Sequence, residues 1–447
     1  MKTTLLAGAL LVLIGVPAVL FYLSAPAVID VSPAPSVIGP STQFGVNVAS
    51  PHGIRVLQVS LDQGAAHTQA GLQREAVWLT FWRTKQPPAV YPVKIGADPK
   101  LGFKGGPAKL TIQAVANNLR GKVTTRVYDV TINLDPPSVS ASDELLYINQ
   151  GGSALVRFRV SGYWTESGVK VGKYRFRSYQ VPGSASPGDR FCLFAWPWDV
   201  AVSEQAAVYA SNPAGAQASA VFRYQVSPRA WRRRSLPLDD RFISKALGEL
   251  DPGGSGAPIE RFLRINRQMR DENNRTLAGM RLQTTEQFLW TPPFKQMLNT
   301  QVEALFADIR SYMYAGKKID EQTHLGFDLS RVARAPVEAA NSGKVVFAGP
   351  LGIYGNCVVI DHGYGLQSIY AHLSEIKVKP GEMVKRDQIF GRTGATGLAA
   401  GDHLHFSMQI DGVQVNPIEW WDAEWIQNRI LSQLPANAVP PAASADR

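Results

Sequence analysis

The chain has 447 residues, of which 45% are hydrophobic and 18% charged, a balance that excludes both a disordered chain and a polytopic membrane protein. Its length suits about three domains, and 39 Gly and 30 Pro without a collagen-like period point to turn-rich β modules. The formal charge of +10 favours an anionic neighbourhood such as a membrane surface, a cell-wall polymer or nucleic acid, without choosing among them. Two cysteines, Cys192 and Cys357, are too few for a disulfide scaffold or a thiolate zinc module. They read as two separate buried thiols, with a long-range bridge as the alternative.

In chain order, Lys2 is followed by no charged side chain before Asp30. As a helix, the apolar run from Thr4 to Leu23 would span about 30 Å, the thickness of a bilayer core. With Lys2 on its amino side, residues 1–29 are expected to form a transmembrane signal anchor. A cleaved signal peptide, with Ala25-Pro-Ala27 as the processing site, is the competing reading. Either one places the remaining chain outside the cytoplasm, in the periplasm or cell envelope.

Residues 30–135 contain alternating runs such as Gln43-Phe-Gly-Val-Asn-Val48, Ile54-Arg-Val-Leu-Gln-Val59, Ala76-Val-Trp-Leu-Thr-Phe-Trp82 and Lys109-Leu-Thr-Ile-Gln-Ala-Val115. Period two between Pro and Gly predicts a β-sandwich-like module. A second β module is expected over 136–228, from runs such as Ala154-Leu-Val-Arg-Phe-Arg-Val160. The basic run Arg229 to Arg234 reads as a solvated surface, since no nucleic-acid-binding fold accompanies it. Residues 229–315 are expected to be a linker and helical segment, with helices over Pro258–Met269 and Phe294–Phe306 from their three-to-four spacing of apolar residues. The Ala- and Pro-rich stretch 433–447 reads as a disordered tail.

The chemistry-bearing residues fall within 316–432. Of seven histidines, four (His324, His372, His403 and His405) occupy three short segments. In His324-Leu-Gly-Phe-Asp-Leu329, alternation puts His324 and Asp328 on one strand face. A straight strand would hold their Cα atoms about 13 Å apart, so a bend is expected at Gly326. In His403-Leu-His-Phe-Ser407 the two histidines share a face, about 6.6 Å apart. Imidazoles and a carboxylate suit Zn²⁺, and two His with one Asp leave a tetrahedral position open for water. Three His and one Asp exceed one such site, and His372 in Tyr370-Ala-His-Leu373 adds another imidazole. The surplus suits a base and a charge-stabilising donor beside a metal. His362, His52 and His67 read as structural.

The order His324-x-Gly-x-Asp328, Tyr370-Ala-His372 and Gly401-Asp-His-Leu-His405 resembles the M23 family, the LytM/lysostaphin-like zinc endopeptidases that cut peptidoglycan peptides. The likeness extends through Gly343-Lys-Val-Val-Phe347, Tyr354-Gly-Asn-Cys-Val-Val-Ile-Asp361, Gly391-Arg-Thr-Gly-Ala-Thr-Gly397 and Val415-Asn-Pro-Ile418. It implies a compact antiparallel β-sheet peptidase domain with a groove over the metal. It further implies His324, Asp328 and His405 as zinc ligands, and His372 and His403 as the pair that activates water and stabilises the tetrahedral intermediate. The expected whole is a mainly β, multidomain, membrane-anchored zinc endopeptidase acting on peptidoglycan, with no nucleic-acid partner and with envelope proteins as candidate partners of the β modules. Two other readings stand beside it: a non-catalytic envelope regulator of cell-wall hydrolases, and a zinc peptidase acting on a protein.

Overall fold

Alternating apolar residues build most of this molecule, and strands dominate its secondary structure. The computed structural model describes residues 14–16, 18–22, 24–73, 83, 85–436 and 438. Most of the apolar run 4–23, the run Ala76–Trp82 and nearly all of the tail after 436 lie outside the described residues. Among the described residues no helix is long and apolar enough to cross a membrane. The chain divides into two units: Met1–Ser138 with the short segments Ser161–Glu166 and Ala210–Ala218, and the remainder to Arg447.

The first unit holds a three-stranded sheet (Val28–Asp30, Thr42–Ala49, Ala89–Ile95) and a five-stranded sheet ordered Val37–Ile38, Val123–Ile132, Gly106–Ala116, Ile54–Gln63, Ala66–Gln73. Alternate residues of both sheets, including Val46, Val48, Val59, Leu61, Leu110 and Ile112, share one buried core. That is the outcome of a period-two pattern with one apolar face.

In the second unit, an eight-stranded antiparallel sheet carries the chemistry. Its order is Gln301–Ala304, Phe327–Ser330, Leu404–Ile410, Leu366–Leu373, Asn356–Gly363, Gly343–Pro350 and Met383–Val384, with Val413–Val415 added beside Leu404–Ile410. Leu366–Leu373 and Leu404–Ile410 are buried along their whole length, as strands covered on both faces must be. The helices Asp240–Leu250, Pro258–Arg264 and Arg270–Gly279 cover one face, where Ile243, Leu247, Phe262, Ile265 and Leu277 share a core with Cys357, Val359, Ile369 and Ala371. Pro258 opens its helix in the first turn, where its missing N–H costs nothing.

The helix expected over Phe294–Phe306 does not form. Asn299 adopts a left-handed φ of 54°, incompatible with a continuing right-handed helix, and Gln301–Ala304 is the edge strand of the large sheet. The apolar residue that suggested a helix, Phe294, instead packs between Trp290, Trp420 and His362. The basic run is also more than a solvated surface. Arg233–Leu238 pairs in parallel with Asp308–Tyr314, and Arg232 grips the buried Asp308 through two hydrogen bonds of 2.8 and 2.5 Å. Cys192 and Cys357 are separate buried thiols.

Most of the second β module, Val139–Val160, Ser167–Tyr209 and the residues from Ser219, also belongs to this unit and is held to the large sheet by buried polar contacts. Asp411 accepts hydrogen bonds from the backbone N–H and Nε of Arg177, each 2.8 Å. Glu419 accepts from Asn149 Nδ2 and the Ser153 N–H, each also 2.8 Å. Tyr179 and Phe191 meet Tyr364 edge to face at 5.0 and 4.9 Å between centroids.

Candidate metal centre

Three side chains from three strands converge on one point. His324 ends the strand Lys317–His324, the chain turns through Leu325-Gly326, and Asp328 follows within Phe327–Ser330. This is the bend that the spacing demands. Asp328 then sits directly opposite His405 in the antiparallel register, and His405 opposite Ala371, the residue before His372. Gly326 makes the approach feasible, because a Cβ there would lie 2.6 Å from His405 Cε1 and 2.7 Å from its Nε2.

The resulting triangle is tight. His324 Nε2 lies 2.9 Å from Asp328 Oδ1 and 2.9 Å from His405 Nδ1, and His405 Nδ1 lies 3.0 Å from Asp328 Oδ1. His324 donates its Nδ1–H to the Leu305 carbonyl at 3.0 Å, which leaves Nε2 as a bare lone pair facing the carboxylate. His405 Nε2 is buried without a hydrogen-bond partner among the described residues. A shared proton satisfies one edge of this triangle, whereas a divalent cation satisfies all three donors. Two imidazole nitrogens and a carboxylate oxygen form a donor set suited to zinc, so the residues present fit the metal.

Two more imidazoles stand beside the triangle. His372 donates Nδ1–H to the Thr396 carbonyl at 2.9 Å and His403 donates to the Gly401 carbonyl at 2.9 Å. His372 Nε2 is thereby left as an acceptor, and the two ring centroids are 4.9 Å apart. His403 Nε2 lies 3.5 Å from Asp328 Oδ1. His372 has a φ of 62°, a strained left-handed conformation for a non-glycine residue at the end of a strand.

Burial separates the electrostatics of these groups. It opposes ionisation of Asp328, yet the adjacent His324, with His403 and His405, holds the carboxyl well below its usual range. Burial, reinforced by His403 and His405, holds the His372 pKa well below the ordinary imidazole value. Burial likewise brings His405 to about 4. His403 is raised instead, since the hydrogen bond and charge of Asp328 outweigh its desolvation. Two neighbouring imidazoles pushed in opposite directions are a pattern found in acid–base sites.

All five residues face one groove of about 1080 Å³, whose walls include Arg241 and Lys245 from the first helix, Arg270, Tyr312, Tyr354 and Leu398. Lys245 Nζ donates to the Ala395 and Ala399 carbonyls at 3.0 and 2.8 Å, and the Gly397 N–H donates to Glu249. The helix Asp240–Leu250 therefore braces the loop that supplies the carbonyl partners of His372 and His403.

The remaining histidines lie elsewhere. His362 is buried, bonded to the Ser342 carbonyl and Ser368 Oγ at 2.8 and 2.7 Å, while His67 Nδ1 lies 2.6 Å from Asp62 in the first unit. Sequence reasoning missed Arg310, whose Nη2 donates to Asp328 Oδ2 at 2.6 Å. The alternation of Asp308, Arg310, Tyr312 and Tyr314 along one strand was the available signal, hidden by reading residues up to 315 as a linker and helical segment.

Comparison with known proteins points the same way. Residues 322–417 match the family model described as Peptidase family M23. The chain is 39% identical over 95 residues to the DD-carboxypeptidase/endopeptidase Mpg of Neisseria meningitidis serogroup B, which covers 21% of this chain and 22% of that protein. It is 38% identical over 96 residues to the peptidoglycan DD-endopeptidase ShyA of Vibrio cholerae, covering 22% of each. It is 38% identical over 88 residues to the stage II sporulation protein Q of Bacillus subtilis, covering 19% of this chain and 31% of that protein. The chain thus spans between a fifth and a third of the length of these relatives.

Proposed function

We propose that this chain, whose residues 322–417 belong to peptidase family M23, is a zinc endopeptidase that hydrolyses the peptide cross-links of peptidoglycan. We place it in the cell envelope, tethered to the membrane by residues 1–29. The observation that carries the reading is the convergence of His324, Asp328 and His405 within about 3 Å of one another, with the imidazoles of His372 and His403 beside them in the same groove.

In this reading His324, Asp328 and His405 would hold the zinc, through the three donor atoms that converge there. Zinc bound there supplies a Lewis acid for the scissile carbonyl and brings the pKa of water toward neutrality. His372, kept neutral by burial and locked in the Nε2-acceptor tautomer by the Thr396 carbonyl, accepts the proton released by the attacking water. His403, in its protonated form, donates from Nε2 to the developing oxyanion in the same groove. The relative ShyA, which carries the words peptidoglycan DD-endopeptidase in its name, supports the substrate class.

Metal analysis tests the ligand assignment. Purified full-length chain should carry one zinc. The His324→Ala, Asp328→Ala and His405→Ala variants should lose it, while His372→Ala retains zinc and loses roughly 10²–10⁴-fold in turnover. A His372→Ala protein with wild-type turnover contradicts that role.

A further inference from the structure

The basic groove wall includes one side chain that touches the metal centre from outside the family-matched segment. Arg310 lies on Asp308–Tyr314, ahead of residues 322–417. Its Nη2 meets Asp328 Oδ2 at 2.6 Å, and the side chains are only 19% and 12% exposed. The two oxygens of Asp328 are divided between different neighbours. Oδ1 faces His324, His405 and His403 at 2.9, 3.0 and 3.5 Å, and Oδ2 faces Arg310.

We propose that Arg310 is a positioning residue that occupies Asp328 Oδ2 and so presents Asp328 to the metal through Oδ1 alone. The inference rests on the zinc reading above. A carboxylate with both oxygens free can bind a metal through either or both, which raises the coordination number and uses a position that water or substrate needs. A charge-assisted hydrogen bond on Oδ2 removes that choice and fixes the carboxylate rotation. Arg310 is itself held by register. Its strand pairs with the strand that ends in His324, Asp308 sits opposite His324, and Asp308 is gripped by Arg232. Asp308 Oδ2 also accepts the Leu305 N–H at 3.1 Å, and the Leu305 carbonyl is the acceptor for His324 Nδ1–H. One strand therefore orients two of the three donors. This gives the Arg232–Asp308 pair a purpose that an exposed basic run would not have.

The test measures metal affinity and coordination in full-length protein. Zinc affinity is measured by chelator competition, and geometry from the visible absorption of the cobalt-substituted protein. Arg310→Met should weaken zinc binding roughly 10–100-fold and lower the intensity of the cobalt bands as the released oxygen becomes an added donor. Arg310→Lys, which keeps a charge but not the planar fork, should recover part of both. If Arg310→Met does not fold, Arg310→Gln is read on the same two measurements with the same expectation. Wild-type affinity and an unchanged cobalt spectrum in the folded variant overturn the proposal, as does a raised KM with both metal readouts unchanged. Failure of the wild-type chain to bind zinc or cobalt would instead sink the underlying metal reading, and the two failures are thereby distinguishable.

Discussion

At the scale of single residues, the site depends on atoms that hold an imidazole by its far nitrogen. His324, His372 and His403 each donate Nδ1–H to a backbone carbonyl, those of Leu305, Thr396 and Gly401, so each ring reaches the groove through Nε2. His405 is the exception and turns Nδ1 inward, with Gly326 packed against its outer edge. Gly326→Ala puts a methyl group inside that contact, where neither the His405 ring nor the Phe406 carbonyl at 2.7 Å can give way cheaply. The expected result is a loss of about 1–3 kcal/mol in stability together with weakened zinc binding, measured by thermal denaturation and chelator competition. Undiminished zinc affinity in this variant would show that His405 does not need its present position. The spacing of His324, Gly326 and Asp328 was legible in the sequence, because a straight strand cannot bring its two polar residues together. Arg310 was not. Its partner lies across a turn and on another sheet, and the alternation along Asp308–Tyr314 marks a strand without recording that distance.

At the scale of elements, the helix Asp240–Leu250 is the least expected contributor. It is amphipathic, with Ile243, Ala246 and Leu247 buried, and Asp239 caps its first turn by accepting the Phe242 N–H. On its other edge, Lys245 and Glu249 tie down residues 395–399. Lys245→Ala should therefore displace the Thr396 carbonyl and with it the tautomer-fixing bond of His372. Because small misplacements near a reacting centre are costly, kcat should fall by up to about 10²-fold while zinc affinity stays unchanged. Steady-state kinetics beside metal titration reads this. The helix over Pro258–Met269 was legible from its periodicity, whereas the segment after Pro293 imitated a helix. Its apolar spacing serves an aromatic cluster around Trp290 and Trp420, and tertiary packing overrides period when a few large rings account for most of the burial.

At the scale of the whole molecule, the second β module and the metal-bearing sheet share buried carboxylates. Burial pushes Glu419 up to about 7, with the hydrogen bonds from Asn149 and Ser153 opposing the shift only in part. Its folded pKa exceeds the unfolded value near 4.5. Its stabilising contribution is therefore complete below pH 4.5 and is lost as pH rises through 7. Across that window the loss amounts to about 3 kcal/mol at most. Glu419→Gln should flatten the fall in thermal midpoint between pH 4.5 and 7, measured with chelator present so that zinc occupancy does not vary. A wild-type slope in this variant would assign the pH dependence to other groups. The mainly β, multidomain character was visible from alternation alone. The attachment of the second module was not, since Glu419 and Asn149 are far apart in sequence and neither sits in a motif.

The central claim, hydrolysis of peptidoglycan cross-links at this centre, is tested most directly by digesting purified sacculi. Zinc-loaded full-length protein and its His372→Ala variant would be compared by mass spectrometry of the released muropeptides. Loss of cross-linked dimers and appearance of a new free terminus, with the wild type only, is the expected result. Unchanged dimers with one zinc bound per chain, or equal cleavage by both proteins, would contradict the claim.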